Sequence, residues 1–108
     1  MIHLHRLIKQ LINLIESSSD LYSIESKCND IATTSLRLVD EHGGGSDVNI
    51  RLKGIRDLAL EIHQYCESRH GIPVRVEYGG IRVKAIRMEA IIGEIGKILK
   101  IEFKETQT

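Results

Sequence analysis

The chain has 108 residues, 42% of them hydrophobic and 28% charged, and its 15 basic and 15 acidic side chains cancel to a formal net charge of zero. A chain of this size is one domain that hides about two-thirds of its unfolded surface, enough for one core, and its composition excludes intrinsic disorder. The charge balance argues against a generic polyanion binder, and no apolar run approaches the roughly 18 residues of a membrane span.

Leu4, Leu7, Ile8, Leu11, Ile12, Leu14 and Ile15 recur at helical spacing, with His5, Arg6, Lys9, Gln10 and Asn13 between them. The pattern predicts an amphipathic helix over residues 2–16 whose apolar arc is too wide for a single neighbour. The start of the chain lacks a basic stretch followed by an unbroken apolar segment, so no secretory signal is read and a reducing cytoplasm is expected. Ser17-Ser18-Ser19-Asp20 ends this helix and offers an N-cap to the next. Leu21, Ile24, Cys28, Ile31, Ser35 and Leu38 then step by three and four, a heptad-like seam over residues 20–41.

Gly43-Gly44-Gly45-Ser46 reads in two ways. It is a glycine C-cap with a turn, or the common unit of an engineered linker joining residues 1–42, a helical hairpin, to the domain that follows. Residues 1–50 carry four basic and seven acidic side chains, and residues 51–108 carry eleven and eight. The two halves are electrostatically complementary, which suits packing on each other or contact between subunits.

Val48, Leu52, Ile55, Leu58, Ala59, Ile62 and Cys66 predict a third helix over residues 47–69, with Lys53 and Asp57 as an i,i+4 pair. Gly71 and Pro73 end it. The period then changes to two. Val74, Val76 and Tyr78 alternate with charged residues, as do Ile81, Val83 and Ala85, and Gly79-Gly80 sits between them as a primed hairpin turn. Leu99, Ile101 and Phe103 alternate in the same way. Residues 86–98 fit either a continued second strand turning at Gly93–Gly96 or a short helix at 87–95; the strand reading is preferred because two glycines oppose a helix. Residues 105–108 read as a frayed tail. The expected fold is therefore α+β: three helices, then a small antiparallel meander within residues 47–104.

Candidate chemistry is sparse. His63, Cys66 and His70 share a helix face, yet Cys66 belongs to the apolar stripe and His70 suits a helix C-terminus, so core and cap are expected rather than a metal site. Cys28 also falls on an apolar stripe and reads as a buried free thiol. No cofactor or catalytic set is read. Gly93-Glu94-Ile95-Gly96 is similar, over about ten residues, to the Gly-x-x-Gly loop with which KH domains clamp a nucleic-acid backbone. The acidic residue inside it and the short chain beyond depart from that pattern, and a turn between strands is expected.

Two functions follow. The wide arc of helix one and the open sheet edges call for a partner, so the first is a non-catalytic protein–protein interaction or oligomerisation module, regulatory or scaffolding, contacting its partner or a second copy through Leu4, Leu7, Leu11 and Ile15. The second is a small nucleic-acid-binding protein using Arg75, Arg82, Lys84 and Arg87 on the hairpin. The scarcity of aromatic residues for base stacking weighs against it.

Overall fold

Four helices make up the regular structure: α1 (Ile2–Glu16), α2 (Leu21–His42), α3 (Asp47–Ser68) and α4 (Tyr78–Leu99). The computed structural model describes residues 1–42, 46–72 and 75–103, without the side chain of His42. The glycines of the 43–46 connection and the 105–108 tail lie outside the described residues, and so does the reading of that connection as a turn or a linker.

Local chemistry sets the helix ends. After α1, Ser18 takes a left-handed conformation (φ 53°). The Ser18 and Ser19 N–H groups donate to the carbonyls of Ile15 and Leu14 at 3.0 and 2.9 Å, closing a Schellman turn. Asp20 then caps α2. Its carboxylate accepts from the Ser23 N–H and the Ser23 hydroxyl, both at 2.9 Å. The backbone N–H bond holds the Asp20 carboxyl below its ordinary range. Ser46 caps α3 by accepting from the Asn49 N–H at 3.2 Å. Beyond α3, Gly71 adopts φ 71°, a left-handed position that suits glycine.

The α+β expectation is overturned. Among the described residues there is no strand, and residues 47–103 hold two helices instead of a helix and a sheet. Gly79-Gly80 is the first turn of α4 rather than a hairpin, and Gly93–Gly96 lies inside α4 rather than in a turn or a clamp loop. The helical alternative at 87–95 was right in kind and too short. Val83 shows why the period misled. Ile81 and Ala85 are four residues apart, a spacing that shares a face in a strand and in a helix alike. Val83 between them decides: a strand would bury it with them, and it is 67% exposed. The buried positions Ile81, Ala85, Met88, Ile92 and Ile95 instead step by four and three. Residues 101–103 fold back after the helix, with the Ile101 N–H donating to the Gly96 carbonyl at 2.8 Å.

Cross-helix pairs give the topology. Arg82 meets Glu16 at 3.2 Å and Lys9 meets Glu89, so α1 and α4 run antiparallel. Arg51 meets Glu94 at 2.9 Å and Lys84 meets Glu61 at 3.5 Å, so α3 and α4 do too. Lys27 donates to Gln10 across α1 and α2, and the Glu25 pairs described below tie α2 to α3. α1 packs on α2 and α4, and α3 packs on the same two, closing an up-down-up-down four-helix bundle. Its centre is filled by Leu4, Ile8, Leu11 and Ile15 of α1, Ile24 and Ile31 of α2, Leu52, Ile55 and Ile62 of α3, and Met88, Ile92 and Ile95 of α4.

The two glycines of α4 have opposite roles. A Cβ at Gly93 would meet nothing within 4 Å, whereas one at Gly96 would lie 2.6 Å from the Phe103 ring and 3.1 Å from the Ile101 carbonyl. Gly96 therefore admits the returning chain. Gly93→Ala is expected to stabilise the protein by about 0.5–1 kcal/mol. Gly96→Ala is expected to destabilise it by about 1–3 kcal/mol through overpacking. Chemical denaturation of the two variants checks this pair, and a hairpin turn at 93–96 would not yield the gain.

Candidate functional site

The bundle redistributes the residues singled out in the sequence. Leu4, Leu7, Leu11 and Ile15 are all buried, covered by helices of their own chain. The wide arc of α1 is satisfied by α2 on one side and α4 on the other. Arg75 is exposed in the segment before α4. Arg82 and Lys84, two residues apart on a helix, point to opposite flanks: Arg82 to Glu16 of α1 and Lys84 to Glu61 of α3. Arg87 is exposed on α4. The helix thus removes the shared outer face that a hairpin would have given Arg75, Arg82 and Lys84. Asp57, expected to pair with Lys53, is instead bound by Arg56 at 2.9 Å.

A cluster that the sequence did not reveal lies between α2 and α3. Glu25, largely buried, sends one carboxylate oxygen to His63 Nε2 at 3.4 Å and the other to His70 Nε2 at 2.7 Å. The His70 contact is short but lies off the line that a hydrogen bond requires. Glu67 stands 3.7 Å from His63 Nδ1, and the His70 ring leans on Tyr22 with centroids 4.2 Å apart. Tyr22, Glu25, Ser26, Asn29 and His63 line a shallow groove of about 330 Å³. His63 and His70 do share one face, as their spacing predicts, but what they face is a carboxylate from another helix. Reflecting the helical hairpin about its 43–46 connection sets residue 25 opposite residue 64, so the topology alone brings Glu25 near His63.

Cys28 and Cys66 are free and fully buried beside this cluster. Burial, then the neighbouring Cys66 and Glu25, pushes the Cys28 thiol well above its ordinary range. Burial and Glu25 push Cys66 up to about 11. Both stay protonated near neutrality and are poor nucleophiles. The Glu25 contacts bring the start of α2 against the end of α3, with the two thiols buried beside them. Among the described residues, no group of three or more His, Cys, Asp or Glu side chains is disposed to hold a metal ion.

The outer surface offers a different kind of site. Leu36, Ile50 and Leu60 on α2 and α3, and Val83 and Ile98 on α4, remain exposed after the core has closed. Ile98 lies one turn beyond Glu94 on the same helix face, and Glu94 holds Arg51, the neighbour of Ile50. Ile50 and Ile98 therefore mark the same end of the α3/α4 pair.

The architecture defines an antiparallel four-helix bundle with a histidine–carboxylate clamp. Comparison of the chain with family models, with curated proteins and with solved structures gives no match. Among the described residues, no helix is long and apolar enough to cross a membrane.

Proposed function

We propose that this chain is a non-catalytic protein–protein interaction or oligomerisation module with a regulatory or scaffolding role, working in a reducing cytoplasm. The observation that carries the reading is aliphatic surface left outside a complete core: Ile50 is 65% and Val83 67% exposed. Scattered exposed aliphatics are ordinary, but here they recur on α2, α3 and α4 of a bundle whose interior needs none of them. The two free, buried thiols support the reducing compartment. Arg82 and Lys84 lie on opposite flanks of α4, so the basic hairpin face on which the nucleic-acid reading rested is not formed.

Sedimentation equilibrium at about 10–100 µM, the range in which modest interfaces populate, tests the reading. Species heavier than one chain are expected. Ile50→Asp combined with Val83→Asp is expected to return the mass to that of one chain without loss of helicity. A single-chain mass for the unaltered protein at every concentration would refute the oligomerisation reading.

A further inference from the structure

Grouping the helices by packing instead of by sequence sharpens the charge pattern. The bundle divides into an α1/α4 layer and an α2/α3 layer. The α1 and α4 helices carry six basic and three acidic side chains, and α2 and α3 carry five and eight. One layer is thus net +3 and the other net −3. Ion pairs inside each layer leave this imbalance untouched: Lys9–Glu89 and Arg82–Glu16 in the first, Arg37–Glu41 and Arg56–Asp57 in the second. Arg51–Glu94 and Lys84–Glu61 cross between the layers in opposite senses and cancel. Arg6, Arg87 and Lys97 remain exposed on the cationic layer, and Asp30, Asp40 and Asp47 on the acidic one together with Lys53, with no ion pair among the described residues. Each layer also shows aliphatic surface, Val83 and Ile98 on the first, Leu36 and Ile50 on the second.

We infer that the α1/α4 face of one copy docks on the α2/α3 face of a second copy, in a head-to-tail contact. The inference rests on the oligomerisation reading above and names its surfaces. Charged rims around apolar centres are the ordinary anatomy of an interface. A two-fold contact through either layer face would press like charge on like, whereas a head-to-tail contact between the two faces sets +3 against −3. The dimer then keeps one free face of each sign, the acidic face of one copy and the cationic face of the other, so assembly continues to a ring or a filament.

The test uses the full chain. Self-association of the unaltered protein is expected to weaken by at least about ten-fold between about 0.05 and about 0.5 M salt, as screening shortens the reach of the charges. The Arg6→Glu/Arg87→Glu/Lys97→Glu variant and the Asp30→Lys/Asp40→Lys variant are each expected to be monomeric. Their equimolar mixture is expected to associate one to one, because the first keeps its acidic face and the second its cationic face. Circular dichroism confirms that each variant is folded, and the salt titration stands if one is not. Association indifferent to salt, triple-Glu material that associates like the unaltered protein, or a mixture that stays monomeric overturns the inference. If the unaltered protein associates without regard to charge, only this inference fails. If it is monomeric at low salt, the oligomerisation reading fails with it.

Discussion

Leu11→Ala is expected to remove about 2–5 kcal/mol of stability, the range for a large aliphatic truncated in a filled core. Leu11 is fully buried between α1 and the rest of the bundle. A domain of this size holds only about 5–15 kcal/mol in total, so the loss is a large fraction of it. Urea unfolding should show a lower midpoint at unchanged slope. Asn13→Ala, on the exposed face of the same helix, should stay within about 0.5 kcal/mol of the parent. Leu4, Leu7 and Ile15 share this position in the core. Their replacement acts on any partner only through the fold. Undiminished stability together with lost self-association in Leu11→Ala would restore α1 as the contact surface.

Stability is expected to fall between about pH 9 and pH 11. The sign follows from proton counting. An unfolded cysteine titrates near 9.0, whereas burial holds the Cys66 thiol protonated to about 11. Across that window the unfolded chain has lost a proton that the native state retains, so rising pH favours unfolding. Two pH units correspond to roughly 2–3 kcal/mol from Cys66. Cys28 is shifted in the same direction and adds to the loss. Below pH 9 neither thiol contributes a slope. Denaturation curves under reducing conditions at pH 8, 9, 10 and 11 measure the effect. The Cys28→Ala/Cys66→Ala variant serves as the reference, because it differs from the parent only in lacking the two thiols. Parallel losses in the two would refute the assignment to the thiols.

Three of the four helices were legible in the residues themselves. The Leu/Ile stripe of α1, the three-four seam of α2 and the stripe ending at Cys66 in α3 each repeat with a helical period. The Ser17–Asp20 run announced the start of α2 by cap chemistry alone, whereas the Ser46 cap of α3 emerged only in the structure. Residues 78–99 were ambiguous for an equally local reason. Ile81 and Ala85 satisfy both periods, and Gly79, Gly80, Gly93 and Gly96 weaken a helix that nothing nearby repays. That segment is held by its neighbours. The groove between α1 and α3 receives Met88, Ile92 and Ile95, and Gly96 yields its side-chain volume to Phe103.

The candidate surfaces divide in the same way. Residue spacing alone determined that His63, Cys66 and His70 share a face and that Cys28 and Cys66 are core thiols. Only the tertiary structure decided that Glu25 stands opposite both histidines, that α1 buries Leu4, Leu7, Leu11 and Ile15 inside its own chain, and that α1 joins α4 in a cationic layer. The physical reason is one of range. Periodicity and capping act within a turn or two of helix and are written in consecutive residues. Burial and charge grouping depend on which helices meet, and that is set by the sum of packing across the closed bundle.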